Sequence, residues 1–325
     1  MNPVGRDRST ASDSRLSEMA AYFRIGPITC DTIRDDNRFF GRNMFLMHLW
    51  QTLIFALVQG ITELFPISSV GHGVLLPYIL HWPNIQANPA FLPFIVMLHV
   101  GTAVALLVFF LIDWLVFLKA VFATGKAAKT TGSMAARKQF WLLVVATLPA
   151  VVIGGLGVKK FATLFATPRV AMVFLIVNGV ILILGDRLLR RNGNKEPQDL
   201  TFGQAIAVGL LQSLALIPGF SRSAMTMIGG LMYGLRYEAA ARFSFLLATP
   251  IILGAAVLEL PKLHHAPHGM LPMALIGGLV AGIAAYLSTW FLMRYFKTHE
   301  VKALRPFGFY CVIVGLGTLV YSFIV

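Results

Sequence analysis

The chain has 325 residues, of which 57% are hydrophobic and only 13% are charged. Soluble domains carry roughly 25% charged residues, so the composition excludes a globular domain with one anchor and predicts an all-α integral membrane protein. The net charge of +13 is common in proteins that bind nucleic acid or anionic lipid. Here the basic residues occupy short connections between apolar runs, which is the positive-inside pattern of membrane proteins. We therefore expect no nucleic-acid partner.

The first 43 residues differ from the rest of the chain. They are polar and mixed in charge, without the apolar stretch and small-residue cleavage site of a secretory signal. We expect a disordered tail over 1–43, followed by a single polytopic membrane domain over 44–325. The two cysteines, Cys30 and Cys311, have a spacing that predicts neither a disulfide framework nor a metal site.

Six apolar runs are long enough to span a bilayer, since a spanning helix needs roughly 20 residues. They lie at about 94–114, 140–158, 169–186, 243–260, 272–293 and 306–324. Two further apolar runs, 48–80 and 203–235, are interrupted near their middles by Pro66 and Pro218. Proline removes a backbone donor and clashes with the preceding turn. Each interrupted run therefore predicts two half-length helices.

The charges of the connecting loops predict the orientation of the chain. Residues 119–138 hold five basic residues and no acid, so this loop is expected in the cytoplasm. Counting spans from there puts the basic loops 186–201 and 294–305 on the same side. The loops 82–93 and 261–271, which share one lysine, fall on the other side.

The second interrupted run tests this count. It lies between the loop 186–201 and the basic stretch 236–242, so a single crossing would reverse every later loop. A hairpin that enters and leaves by the cytoplasmic face keeps the pattern, whereas the first run, leading into an outside loop, enters from outside. Two hairpins from opposite faces predict inverted-topology repeats, about 44–186 and 200–325, with a site near the membrane midplane.

The first interruption reads ELFPISSVGH over residues 63–72. Ionisable side chains at membrane depth occur where they line a polar cavity or are buried in protein, so Glu63 is a structural acid, a cation ligand or a general base. His72 follows Ser69 by three residues, so both can share one face of the second half-helix. The histidine can serve as acid, base or nucleophile, or bond a neighbouring carbonyl. Ser68 and Ser69 cap this half-helix or leave its amides free for a phosphate.

The second interruption reads PGFSRSAMT over residues 218–226. Arg222 stands at the tip of this hairpin, and its forked donors match phosphate oxygens. Gly219 lets the backbone approach closely. Hydroxyl donors surround the arginine: Ser221, Ser223 and Thr226. Arg222 can also form a structural ion pair with Glu63, and the two interpretations are compatible because an empty anion site can hold such a pair.

These segments resemble a known family. VQGITELFPISSVGH, residues 58–72, is similar to the first signature of the BacA-type undecaprenyl-diphosphate phosphatases, and PGFSRSAMT is similar to the second. The following GGLMYGLRYEAAARFSFLLATP is also similar, and the resemblance extends over about 44–325. It implies a multi-pass hydrolase of the bacterial plasma (inner) membrane that converts undecaprenyl diphosphate to the monophosphate carrier lipid of cell-wall synthesis. Such an activity bears on cell shape and bacitracin resistance.

The resemblance also implies roles for single residues. By motif position, Glu63 is the acidic residue and a metal ligand, and Ser69 and His72 are the nucleophile and acid/base residues, with their assignment open. Arg222 and the hydroxyls of the second signature form the phosphate cradle, with Ser68 and Gly219 expected to line the substrate. The family implies a divalent metal, Mg²⁺ or Ca²⁺, and two inverted repeats with re-entrant helices. We also expect a homodimer.

The chain departs from the family pattern at two positions. Gln59 stands where many members have glutamate, and Ala224 stands where glycine is usual. The missing carboxylate leaves fewer ligands for a metal, so Gln59 is interpreted as lining the site and binding substrate.

Two other functions stay open from the residues. Inverted repeats with broken helices and a midplane anion site also suit a transporter or flippase for a lipid phosphate or small anion. A different class of membrane lipid phosphatase would carry a lysine-rich motif and two separated histidines, which Arg222 and His72 do not reproduce. For the phosphatase, the loop charges predict a site open to the extracytoplasmic, periplasmic side.

Overall fold

The computed structural model describes residues 49–82, 91–165, 167–188, 193–261, 269–299 and 302–324. Within these ranges the chain is helical apart from short turns and one isolated bridge between Lys195 and Leu235, and no β-strand is formed. The tail 1–43 with Cys30, and most of the predicted loops 82–93 and 261–271, lie outside the described residues. The predicted all-α fold is confirmed.

Twelve α-helices follow one another along the described residues. They are Leu49–Thr62 (α1), Ser69–Ile79 (α2), Phe91–Phe109 (α3), Leu111–Phe122 (α4), Gly125–Ala128 (α5), Thr131–Phe165 (α6), Pro168–Leu188 (α7), Phe202–Ser213 (α8), Arg222–Met232 (α9), Tyr237–Glu259 (α10), Met270–Thr298 (α11) and Arg305–Ile324 (α12). Six of them, α3, α6, α7, α10, α11 and α12, are long and apolar enough to cross a membrane. The predicted number of spans is therefore confirmed.

The predicted cytoplasmic loop 119–138 is wrong as a loop. Its residues belong mainly to α4, α5 and the start of α6, and the preceding span ends at Phe109 and not at 114. The guanidinium of Arg137 donates to the carbonyls of Ala120 and Ala123, at 2.9 and 2.8 Å. Basic side chains that bond the last carbonyls of a helix stabilise its end, so the same residues that signal cytoplasm also stabilise a helix there.

Each interrupted apolar run forms two short helices, as predicted. In the first hairpin, α1 and α2 are joined by the turn that contains Pro66, and the rings of Trp50 and Trp82 meet at its open end, 5.3 Å between centroids. In the second hairpin, α8 and α9 are joined by a turn that contains Pro218. Each of these four helices is too short to cross a bilayer by itself.

Each hairpin packs against a spanning helix of the other half of the chain. Along α1, Thr52 contacts Gly277 and Gly60 contacts Ala284, so α1 runs parallel to α11. Along α8, Gly209 contacts Pro149, and Leu216, just beyond α8, contacts Gly154, so α8 runs parallel to α6. Glycine is required at Gly60 and Gly209, because an added Cβ would collide with the carbonyl of Ala281 or Ala146.

These directions show that the two hairpins enter from opposite faces. Helix α3 runs parallel to α11, as the contacts of Met97 with Gly278 and of Phe109 with Tyr286 show. The first hairpin therefore enters at the end where α3 begins. Helix α6 follows α4 and α5 and begins at the end of the protein where α3 ends. Since α8 runs parallel to α6, the second hairpin enters at this end. The predicted inverted-topology arrangement of two re-entrant hairpins is confirmed.

The halves also meet through their last helices. Gly179 of α7 contacts Gly308 of α12, and Met172 contacts Gly315, so these helices run antiparallel. Near the end of α7, the buried carboxylate of Asp186 accepts hydrogen bonds from the Tyr237 hydroxyl, the Leu304 amide and the Arg305 guanidinium. This cluster joins the end of α7 to the starts of α10 and α12.

Candidate active site

The tips of the two hairpins meet inside the protein. A Cβ added at Gly71 would lie only 3.2 Å from the Cα of Gly219. The buried side chain of Asn178, on α7, joins the tips: its amide donates to the Pro66 carbonyl at 3.1 Å, and its oxygen accepts from the Ser221 amide at 3.0 Å. Asn178 thereby holds the two turns together. It satisfies backbone groups that have no partner within a helix, and the turns lie inside the protein, away from lipid.

The turn of the first hairpin places Ser69 at the start of a helix. Ser68 adopts a left-handed backbone, φ 70°, and its hydroxyl accepts from the Gly71 amide at 3.1 Å as the cap of α2. A non-glycine residue with positive φ is uncommon and persists where surrounding contacts hold it. The cap leaves Ser69 in the first turn of α2, where backbone amides and the helix dipole favour an anion.

Glu63 is the centre of the buried polar cluster. Its Oε2 accepts from the Ser69 hydroxyl at 2.5 Å and from the Gln59 amide at 3.0 Å, and lies 3.2 Å from Nε2 of His99. Its Oε1 lies 3.4 Å from the Arg222 guanidinium. The residue is 7% exposed, so these contacts replace water around the carboxylate. The ion pair of Glu63 with Arg222, one of the two interpretations of the sequence, is present in the structure.

Arg222 retains unused donor capacity. One terminal nitrogen donates to the Ser244 carbonyl at 3.0 Å, and the other faces Glu63. Its Nε is buried and has no hydrogen-bond partner among the described residues. A buried donor without an acceptor is costly, and an oxygen of a bound phosphate would satisfy it.

The hydroxyls near Arg222 mainly organise the second hairpin. Ser221 caps α9 by accepting from the Ala224 amide at 3.2 Å, and Ser223 donates to the Phe65 carbonyl of the other tip at 3.1 Å. Thr226 lies 2.6 Å from the Ser244 hydroxyl. Gly219 has φ 103°, and an added Cβ would collide with the carbonyl of Ala171. These residues therefore place Arg222 and fix the contact between the tips.

His72 contacts a different part of the protein. Its Nδ1 lies 2.7 Å from the Ser68 carbonyl, and its Nε2 lies 2.9 Å from the Tyr310 hydroxyl, with the two rings stacked. Among the described residues, its ring bonds none of the polar side chains around Glu63. Ser69 and His72 share a turn of α2, as their spacing predicts, but their side chains have separate partners.

Three residues of this region were not predicted from the sequence: His99, Asn178 and Ser244. His99 and Asn178 are polar side chains inside apolar spans, the same signal that identified Glu63. Both lie in uninterrupted spans, where no proline break accompanies the polar side chain. Ser244 contributes its backbone carbonyl to Arg222, and a carbonyl has no signature in a sequence.

The predicted metal site does not fit the residues present. No group of three or more histidine, cysteine, aspartate or glutamate side chains in the described ranges could hold a metal ion. Both carboxylate oxygens of Glu63 already face hydrogen-bond donors. The side chain of Gln59 turns its amide nitrogen, and not its oxygen, toward this carboxylate. Mg²⁺ prefers carboxylates together with waters and phosphate oxygens. A metal at this site would therefore need most of its ligands from a bound substrate.

The arrangement has the parts needed for nucleophilic displacement. The hydroxyl of Ser69 donates to a carboxylate, which is how a general base activates a nucleophile. The guanidinium of Arg222 lies on the other oxygen of the same carboxylate and can bind the group under attack. The site is buried among helices near the middle of the spans, where such contacts act with little competition from water.

Comparison with known proteins agrees with this geometry. The sequence model described as "Bacitracin resistance protein BacA" matches residues 52–317. The "Undecaprenyl-diphosphatase 2" of Chromobacterium violaceum is 47% identical over 280 residues, covering 86% of this chain and 100% of the relative. The "Undecaprenyl-diphosphatase" of Acidiphilium cryptum is 52% identical over 274 residues, covering 82% of this chain and 96% of the relative. The chain belongs to the BacA family.

Proposed function

We propose that this protein hydrolyses undecaprenyl diphosphate to undecaprenyl phosphate and inorganic phosphate. The observation that carries the proposal is the 2.5 Å hydrogen bond from Ser69 to Glu63, with Arg222 on the other oxygen of the carboxylate. The related proteins named undecaprenyl-diphosphatase support the choice of substrate. The product is the lipid carrier of cell-wall synthesis, so the enzyme would recycle that carrier.

In the first step, Arg222 binds the terminal phosphate and Ser69 attacks its phosphorus. The proton of the Ser69 hydroxyl passes to Glu63, the oxygen forms a bond to phosphorus, and the bond to the bridging oxygen breaks. Undecaprenyl phosphate leaves with that bridging oxygen, and the enzyme holds a phosphoserine. The free Nε of Arg222 and the amides at the start of α2 would stabilise the charge on the transferred group.

In the second step, water hydrolyses the phosphoserine. Glu63, which returns its proton to solvent between the steps, takes a proton from the attacking water. The bond between phosphorus and the Ser69 oxygen breaks, and Glu63 passes this proton to that oxygen. Inorganic phosphate leaves, and the Ser69–Glu63 hydrogen bond forms again.

The geometry favours Ser69 over His72 as the nucleophile. Both ring nitrogens of His72 have partners, the Ser68 carbonyl and the Tyr310 hydroxyl. Attack by His72 would require the loss of its contact with Tyr310. We assign His72 to the support of the first turn of α2, whose Ser68 carbonyl it bonds.

The predicted divalent metal is not used in these steps. The family resemblance implies metal dependence, which stays a prediction, with the diphosphate as the main source of oxygen ligands. The predicted homodimer and the expected lack of nucleic-acid binding also stay predictions.

Hydrolysis by purified protein separates a phosphatase from a transporter. Detergent-solubilised protein is given undecaprenyl diphosphate, and released phosphate is measured beside the Glu63→Gln variant, which keeps the shape of the side chain without its charge. We expect phosphate release by the wild type and a severe loss in the variant. Movement of the lipid across proteoliposomes without phosphate release would support the transporter.

We further propose that the diphosphate reaches the site from the extracytoplasmic face, where the first hairpin enters. Single cysteines test the orientation, in a background lacking Cys30 and Cys311. Ser68 and Gly219 are buried at the tips, so exposed positions at the hairpin mouths are better: His81→Cys for the first and Thr201→Cys for the second. An impermeant thiol reagent should label the first in intact cells and the second only in inverted vesicles. The reverse pattern would contradict the proposal.

A further inference from the structure

His99 is a histidine with an unusual environment. It lies on α3, Phe91–Phe109, a span with no other charged or titratable side chain. Its side chain is only 16% exposed and lies against Glu63 from the first hairpin. A polar ring inside a spanning helix is costly unless it has partners. Here both ring nitrogens have them, the Ile95 carbonyl at 2.8 Å and Oε2 of Glu63 at 3.2 Å.

These two partners define which ring nitrogens carry protons. A carbonyl only accepts hydrogen bonds, so Nδ1 of His99 must donate to Ile95. A carboxylate also only accepts, so a hydrogen bond from Nε2 to Glu63 requires a second proton on the ring. With Glu63 ionised, these contacts assign the pair as an imidazolium with a carboxylate. Together with Arg222 it leaves one positive charge in excess around Glu63, which suits an anionic substrate.

Three donors converge on Oε2 of Glu63: Gln59, Ser69 and His99. Gln59 lies on α1, one turn before Glu63, which directly follows that helix. His99 comes from a spanning helix outside the hairpin. His99 therefore fixes the carboxylate relative to the rest of the protein, which a donor from the adjoining helix cannot do.

We propose that His99 is a positioning residue of the active site, whose imidazole holds the Glu63 carboxylate in the orientation that receives the proton of Ser69. The role rests on the proposed hydrolysis. Catalytic groups must be held to within a fraction of an ångström, so losing this hold should lower the rate of the chemical step more than substrate binding. A donor at the place of Nε2 should restore it in part.

The kinetic test compares His99→Leu with His99→Gln in detergent. Leucine fills similar space without a donor, and glutamine offers an amide donor. We expect His99→Leu to lower kcat by about 10- to 100-fold with KM changed by less than about twofold, and His99→Gln to recover part of the loss. The matched control is His81→Gln, a histidine exposed at the mouth of the hairpin, which should keep the wild-type rate. A wild-type kcat in His99→Leu would overturn the proposal.

A double-mutant comparison distinguishes positioning from a general loss of structure. If His99 acts through Glu63, adding His99→Leu to Glu63→Gln should cause little further loss, because the group that it positions is already absent. Equal fold losses in both backgrounds would mean that the histidine acts independently of Glu63 and would sink the proposal. An inactive wild type would instead sink the proposed hydrolysis.

Nuclear magnetic resonance of protein with isotope-labelled histidine tests the contact between His99 and Glu63 without any substrate. The signal of His99 is identified by its loss in His99→Gln. We expect both ring nitrogens to be protonated at neutral pH, and the proton on Nε2 to be lost in Glu63→Gln. An unprotonated Nε2 in the wild type would contradict the hydrogen bond on which the positioning role depends.

Discussion

The tips of the two hairpins follow one plan but differ in backbone and in side chains, since the cap residue Ser68 has φ 70° and its counterpart Ser221 has φ −96°. Both follow a proline, both begin a half-helix with a serine cap, and both are bonded to Asn178. The first tip carries the acceptor and the hydroxyl, Glu63 and Ser69, whereas the second carries the cation, Arg222. A repeated scaffold thus supplies two helix starts facing one point, and the chemistry comes from the positions at which the repeats differ.

The serines provide the sharpest test of this difference, because Ser69 and Ser221 each lie three residues after the proline of their hairpin. Ser69→Ala should lower phosphate release by more than about 10⁴-fold, as the loss of a nucleophile does. Ser221→Ala removes a helix cap and should cost about 1 kcal/mol of stability while retaining far more activity. Steady-state rates and thermal unfolding of both variants are the measurements. Equal rates would show that Ser69 has no special role.

The cation of the second tip gives the next largest effect. Arg222→Ala should lower kcat/KM by about 100- to 1,000-fold, because it removes donors that bind the transferred phosphate. Arg222→Lys should restore activity only in part, since an ammonium cannot reproduce the guanidinium fork. Arg242→Ala is the control, because this arginine pairs with Asp113 away from the site, and it should behave like the wild type. Full activity in Arg222→Lys would argue against a forked contact with phosphate.

The bridge between the tips should have a smaller effect. Asn178→Ala leaves the Pro66 carbonyl and the Ser221 amide without a bridge, at a cost of about 1–3 kcal/mol for each buried group. We expect a lower unfolding temperature and a reduced kcat. Thr289→Val is the control, because among the described residues this buried hydroxyl bonds only a carbonyl of its own helix. If Asn178→Ala unfolds and turns over like this control, the tips are held by other contacts.

The smallest effect is expected from Gln59→Glu, which restores the family carboxylate. A second carboxylate would then lie beside Glu63, and carboxylate oxygens are ligands that suit Mg²⁺ and Mn²⁺. We expect tighter binding of Mn²⁺ or Mg²⁺ by calorimetry and a shifted metal titration of activity, without a change in lipid preference. An unchanged titration would place residue 59 outside any metal shell.

The scaffold was predictable because its signals are local. The prolines interrupt two of the apolar runs. The lysines and arginines in the connections between runs indicate how often the chain crosses the membrane. The break at Phe110 carries no such signal, because it separates two apolar helices, so α4 was assigned to a span and a loop.

The contacts within the site were less predictable. Glu63, Ser69 and Arg222 stand inside recognisable motifs and were identified there. His99 and Asn178 act through contacts with residues far away in sequence, which only the fold brings together. The partners were only partly predictable: the cap by Ser68 and the bond of His72 to a neighbouring carbonyl were among the alternatives left open by the sequence, whereas the contact of His72 with Tyr310 was not.

The packing of each hairpin on the opposite half has a consequence for any shorter form of this protein. Gly60 lies against Ala281, and Gly209 against Ala146, with no room for another atom. A half-length chain would therefore expose the glycine face of its hairpin to lipid and lack one side of the site. It could recover both only by pairing with a second copy inserted upside down, so a chain of half this length would need two opposite orientations in the same membrane.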